Sequence, residues 1–347
     1  MKKIAFILLT SALMVGAVSC KKDKIEPEEV NPVPVYAEGV YHPVMKIATV
    51  SENGSLAQEW SWVGDNLDRI EGVDGSTTAY SYMGNYISKV TSTGDQAQEI
   101  RYSYDANNTF ASCDLYYGGA KAVGLSFEHN ASGKLSGADI TIDDNFLLSL
   151  AGNLLGFGTG FEKLLGRQGA EALIMMVRLS HNGGAKFSVG EKAINAALEW
   201  EGDNVSKMIV SGNVTVLVDT NDLNLLSRFV EIPAEYLPII QLAMSFNGGL
   251  PITLTMSDTI ACTYDTNYNP RFCNWGEIMS PQVLSLNNVL TMTTTGSISI
   301  TASLLGQILP LYSYPMDDYT EYQYQYNEKR YPTHVSGDVE TDYAYKP

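Results

Sequence analysis

The stretch WVGDNLDRI at residues 62–70 returns as WEGDNVSKM at 200–208 and, in looser form, as YMGNYISKV at 82–90. An aromatic residue, a turn rich in Gly, Asn and Asp, and an aliphatic residue recur in that order. Gly, Asn and Asp tolerate the positive φ angles of tight hairpin turns. Ahead of these turns, Trp60-Ser61-Trp62, Tyr80-Ser81-Tyr82 and Tyr102-Ser103-Tyr104 alternate rings with a small residue, and Tyr322-Gln323-Tyr324-Gln325-Tyr326 does the same near the end. A period of two puts the rings on one face of a strand. Each repeat therefore reads as one β-hairpin. A lone hairpin is marginal in water, so several must lie side by side and share an apolar face. The Leu67–Ile70 spacing departs from strict alternation and predicts a bulge, or a strand starting only near Ile70.

The expected fold class is mainly β: an antiparallel meander forming a curved sheet or barrel-like body, with short apolar helical inserts packed on or inside it. The inserts fall near 143–192, 219–250 and 280–312. The first carries Phe146-Leu147-Leu148 and Leu164-Leu165, with Asp143 and Asp144 placed to cap it. Pro233 and Pro238 divide the second. In the third, residues 291–295 and 298–300 alternate as strand, while Leu304-Leu305 and Ile308-Leu309 read as a short helix or turn. A curved sheet needs something to bury its inner face, and these segments suit that role. A lumen for an apolar ligand is the functional reading of the same pattern.

The first residues are a targeting signal. Lys2 and Lys3 precede an apolar run from Ile4 to Val18, too short to span a bilayer. Ala17-Val18-Ser19-Cys20 resembles a bacterial lipobox, with Ala17 in place of the usual Leu, and makes Cys20 the expected lipid attachment site. The expected organisation is a signal peptide over 1–19, a lipid-anchored flexible linker over 20–40 and a single β-rich domain over 41–347. Pro27, Pro32 and Pro34 support the linker. The Lys21-Lys22-Asp23-Lys24 tail, followed by Glu26, Glu28 and Glu29, resembles the export signal of surface lipoproteins in the Bacteroidetes. The expected location is the outer membrane, with surface exposure.

The formal charge is −17, becoming −19 once Lys2 and Lys3 leave with the signal. Such a surface repels nucleic acid, so the expected partners are the membrane, through the anchor, and a glycan or apolar ligand. Cys262 and Cys273 bracket CTYDTNYNPRFC, centred on turn-forming residues. A symmetric hairpin would set them opposite one another for a disulfide. The alternative is three free thiols at Cys113, Cys262 and Cys273. His42, His129, His181 and His334 are scattered without ligand spacing, so no metal or cofactor is expected. The carboxylate pairs Asp143-Asp144 and Asp317-Asp318, the latter with Glu321 nearby, suit capping and turn roles, and no catalytic residue is expected. Trp275 lies outside the aromatic rhythm and is the expected ligand-binding ring. Asp258-Thr259-Ile260 resembles a short acceptor motif for O-linked glycans.

With its hairpin units, lipobox, Tyr322–Tyr326 run, Tyr331-Pro332-Thr333 and closing Tyr343-Ala344-Tyr345, the chain resembles a group of Bacteroidetes lipoproteins of unknown function described as having a porin-like β-barrel fold. The units are more distantly similar to the tyrosine-rich YD repeats of secreted bacterial shell proteins. The resemblance implies a fold and a location and carries no catalytic residues. The expected function is a non-catalytic, lipid-anchored binding or scaffold module. The alternatives are a glycan hydrolase using a carboxylate pair and a structural subunit of an outer-membrane complex.

Overall fold

A computed structural model describes residues 32–94, 98–144, 188–218, 250–277, 280–304, 307–337 and 339–346, with isolated positions at 235, 237–240 and 242. The chain runs through β1 (Ile47–Glu52), β2 (Ser55–Val63), β3 (Asn66–Gly72), β4 (Thr77–Met83), β5 (Tyr86–Ser92) and β6 (Gln98–Tyr104). Then come β7 (Phe110–Tyr117), β8 (Ala120–His129), β9 (Leu135–Ile142), β10 (Ser188–Glu201), β11 (Asn204–Val218) and β12 (Leu250–Tyr268). The last strands are β13 (Asn287–Leu304), β14 (Gln307–Pro315), β15 (Asp318–Glu321), β16 (Gln323–Tyr326), β17 (Pro332–Ser336) and β18 (Thr341–Tyr345).

All of them belong to one antiparallel sheet. Sequential strands pair from β1 to β14, β15 returns to β13, and β18 pairs with β1. The sheet curves back on itself but is not closed. Its ladder breaks at Tyr322: β15, before it, pairs with β13, and β16, after it, pairs with β17.

The recurring sequence unit has a recurring geometry. A register shift falls beside Trp62, Tyr82, Tyr104, Trp200 and Tyr264. This is the bulge that the Leu67–Ile70 spacing required, and β3 begins at Asn66 rather than near Ile70. The bulged aromatic reaches back to the preceding hairpin. Trp62 Nε1 donates to the Ile47 carbonyl at 2.8 Å, and Tyr82 Oη to the Leu67 carbonyl at 2.6 Å. Tyr104 donates to the Ile87 carbonyl. Trp200 Nε1 donates to Leu135 and Tyr264 Oη to Val205, both at 2.6 Å. Tyr324 and Tyr345 repeat the bond to Val289 and Pro332. The accepting residues stand at or near the starts of odd strands, and Ile47, Leu67, Ile87 and Val205 are fully buried. The aromatic thus supplies both apolar area and the partner for a buried carbonyl. Tyr82→Phe and Tyr104→Phe are each expected to lower stability by about 0.5–1.5 kcal/mol, seen as a lower urea midpoint at unchanged slope.

The two Trp-Xaa-Gly-Asp-Asn copies share one more device. Lys46 Nζ donates to the Gly64 carbonyl and to Asp65, and lies 5.9 Å from the Trp62 ring centroid. Lys134 does the same to Gly202 and Asp203, 4.9 Å from the Trp200 ring. These clips are exposed and add little stability. They fix the turn against its neighbour.

The hollow of the sheet is filled by the chain itself. A strap over residues 36–43 and a loop over 269–286 meet inside it. Tyr41 Oη donates to the Pro270 carbonyl at 2.6 Å, and Trp275 Nε1 to the Ala37 carbonyl at 3.3 Å. From the wall, Tyr80 donates to Asn274 and Tyr102 to the Trp275 carbonyl. Glu38 and Gly39 are buried, so the fold begins before residue 41, and residues 36–40 are not part of a free linker. Ile240, from a helical turn at 237–240 in the second insert, is also fully buried in the core. Residues 145–187, which hold most of the first insert and His181, lie outside the described residues.

The third insert is largely wall. Residues 280–286 belong to the inner loop, with a short helix at Pro281–Leu284, but β13 and β14 occupy the remainder. Ile308 and Leu309 pair with Ser303 and Ala302 in a strand ladder, not in a helix. On β12 and β13, Ile252, Leu254, Met256, Ile298 and Ile300 face inward and are buried, while Thr255, Ser257, Thr295 and Ser297 face outward and are exposed. Apolar-in and hydroxyl-out is the reverse of a strand that crosses a bilayer in a barrel. No described helix is long and apolar enough to cross a membrane.

Candidate functional site

A group of buried ionisable side chains lies where the strap enters the sheet. Bulges leave inward backbone N–H groups at the starts of odd strands, and the strap supplies their acceptors. Ile87 N–H donates to the Gly39 carbonyl at 2.6 Å. Phe110 N–H donates to Glu38 Oε2 at 2.6 Å. Leu135 makes a backbone hydrogen bond to the Tyr36 hydroxyl. Glu38 Oε1 contacts His129 Nε2 at 2.7 Å and accepts from Tyr36 Oη at 3.3 Å. Gly39 suits the tight entry: its φ is +70°, and a Cβ there would run into the Tyr104 ring.

Burial pushes the Glu38 carboxyl above its usual range, against the opposing pull of the Phe110 N–H and of His129. Cys273 lies nearby with φ +62°, and burial pushes its thiol up to about 12. A Cys, a His and a Glu in one neighbourhood suggest nucleophilic chemistry, but an activated thiol needs a lowered pKa. This one is held protonated, and the imidazole is engaged by Glu38. The cluster works as a clasp. Beside it lies a cavity of about 50 Å³ lined by Pro34, Val40, His42, Phe272, Cys273 and Tyr331. That is room for a few waters, an order of magnitude below a typical small-molecule site.

The residues singled out from the sequence are not brought together. Cys20 lies outside the described residues. Cys262 and Cys273 are separate buried thiols, as is Cys113, and the disulfide expectation is corrected. The segment between them is not a symmetric hairpin: β12 continues to Tyr268, Cys262 pairs with Met292, and Cys273 belongs to the inner loop. Trp275 is also corrected. It is 2% exposed, edge-on to Phe110 at 4.9 Å between centroids, and is a core ring rather than a ligand platform. His42 contacts Asn66, and His334 lies between Asp342 and Glu340. Asp317 and Asp318 are exposed where β14 gives way to β15. Among the described residues no group of three or more His, Cys, Asp or Glu is placed to hold a metal.

Sequence reasoning passed over Glu38 and placed Asp258 only in a short glycan-acceptor motif. Nothing in the Pro-rich stretch marks Glu38 as buried. Asp258 was marked: it follows Leu254 and Met256 at the inward phase of β12. Burial pushes its carboxyl up to about 6, opposed by the Thr259 N–H. An unfolded Asp ionises near 3.9. Between about pH 4 and pH 6 the unfolded chain has therefore released a proton that the folded chain keeps, so stability falls as pH rises through that window. Asp258→Asn is expected to raise the melting temperature at pH 7.5 and leave it unchanged at pH 4. An equal shift at both pH values would contradict the assignment.

No family model matches the chain, and no curated protein matches it. Among solved structures it is similar to a porin-like protein from Bacteroides uniformis, at 9% identity and a TM-score of 0.30, over 89% of this chain and 99% of that one. It is also similar to TcdB2-TccC3-TEV, at 9% identity and a TM-score of 0.21, over 85% of this chain and 17% of that one.

Proposed function

We propose that this chain is a lipid-anchored lipoprotein of the outer membrane or cell surface that acts as a non-catalytic binding or scaffold module. The observation that carries this reading is the strap. The chain that leads from Cys20 does not run loosely into β1; it is clasped inside the body by Glu38, Tyr36 and Tyr41. An anchor at Cys20 would thus hold the body through buried contacts. The hydroxyl-covered outer face of β12 and β13 supports a body that stands beside a bilayer rather than in it. Trp275, the ring expected to bind a ligand, is occupied in the core. The test is fractionation of cells carrying wild-type and Cys20→Ala chains, with a labelled fatty acid. Wild type should carry label and sediment with the outer membrane, and the variant should lose both. Unlabelled wild-type protein would refute the anchor. Release of reducing sugar from a surface polysaccharide by the purified chain would favour the hydrolase reading.

A further inference from the structure

The residue that follows each bulged ring differs around the sheet. It is Val63 and Met83 in the first two aromatic hairpins, and Asp105 and Glu201 in two later ones. Val63 and Met83 are apolar yet each more than half exposed, as are Val33 and Val35 at the entry of the strap. All four lie at one end of the body. The turns at 64–65, 84–85, 105–109, 130–134 and 202–203 each follow an even strand and so share that end, and the strap enters among them to reach Ile87, Phe110 and Leu135. The tips stand clear: a Cβ on Gly64 or Gly84 would meet nothing within 4 Å. This end also carries little net charge, on a chain of −17. Asp65 and Asp203 are paired with Lys46 and Lys134, and Asp105, Glu201 and Glu328 are matched in number by Lys329, Arg330 and Lys346.

Residue 32 emerges at the same end, and eleven residues separate it from Cys20. Fully extended, they reach about 40 Å. β12, with its 19 residues, is about 60 Å long. An anchor at Cys20 therefore keeps the hairpin tips beside the bilayer and cannot lay the far end on it with the body upright. We infer that the tips around Val63 and Met83, with Val33 and Val35, form a surface that docks on a zwitterionic lipid bilayer. The orientation rests on the lipidation of Cys20 proposed above; the affinity of the tips for lipid does not. The Val63 and Met83 side chains enter the boundary between headgroups and acyl chains, while the turn backbone and the paired charges stay hydrated. A single acyl chain gives marginal membrane binding, and the apolar tips supply a second attachment. An acid at the same position, as at Asp105 and Glu201, is costly to take out of water, so the first two hairpins make the contact.

The test tethers the chain from residue 20 onward to phosphatidylcholine vesicles, through a hexahistidine tag in place of Cys20 and a nickel-chelating lipid, so that the outcome does not depend on acylation. Cys113, Cys262 and Cys273 are buried. An environment-sensitive dye can therefore be placed by Val63→Cys, Met83→Cys or Val73→Cys, the last as exposed as Val63 but in the turn after β3 at the far end. Spin-labelled lipid is expected to quench the dye at 63 and 83 at least twofold more than at 73. Met83→Asp in the Val63→Cys chain should remove most of that difference. Equal quenching at all three positions, or a difference that Met83→Asp leaves intact, would overturn the docking surface. The fatty-acid label, by contrast, bears on Cys20 alone.

Discussion

Trp275→Ala is expected to lower stability by about 3–5 kcal/mol, the range for truncating a large buried aromatic. Trp275 is where strap and inner loop meet. Its ring packs edge-on against Phe110 at 4.9 Å and Tyr36 at 5.9 Å. Its Nε1 holds the Ala37 carbonyl, and its own carbonyl accepts from Tyr102. Truncation leaves a cavity and removes one donor from the Ala37 carbonyl, which keeps the Val40 N–H. Trp275→Phe keeps most of the ring and should show a markedly smaller loss. Urea unfolding of the three proteins decides it, and a loss below about 1 kcal/mol for the Ala variant would mean that the loop is not part of the cooperative core.

The second large effect is expected at Glu38. Glu38→Ala removes the acceptor of a buried Phe110 N–H and the partner of His129, and should lower stability by about 2–4 kcal/mol. Glu38→Gln keeps one carbonyl acceptor and should lose about 1 kcal/mol. Because burial raises the folded pKa of this carboxyl, the protonated form is the better-tolerated one. Wild-type stability is therefore expected to fall as pH rises from the usual carboxylate range through the raised folded value, and the Gln variant should lack that component. Chemical denaturation at a series of pH values checks both statements. A Gln variant as damaged as the Ala variant would show that charge, rather than an acceptor, holds the strap.

The wall was legible in the sequence because its rules are local. Trp60, Trp62, Tyr80 and Tyr82 follow the period of two that a strand imposes, and the Gly-Asp-Asn turns fix where each hairpin folds back. Even the bulge showed, as the spacing between Leu67 and Ile70. The filling was not legible, because its partners are remote. Tyr41 bonds to Pro270 across 229 residues, and Trp275 to Ala37 across 238. No window of sequence displays such a contact. Pro32 and Pro34 made the strap look like linker, although Tyr36, Glu38 and Tyr41 within it are core residues. Trp275 was rightly seen as outside the rhythm. It is outside because it stands in the inner loop rather than on the wall. Ile308 and Leu309 misled through their closeness to Leu304, since two short apolar pairs suit either period.

The pairing of β1 with β18 has a bearing on biogenesis. The backbone of Lys346 bonds to that of Lys46, so the two ends of the body are stitched together. An emerging polypeptide cannot complete this pairing until β18 has been made, and contacts of such long sequence separation form slowly. Until then the edge of β1 is bare on one side, a template for unwanted pairing. Removing β18 would leave that edge of β1 permanently unpaired and open to such pairing.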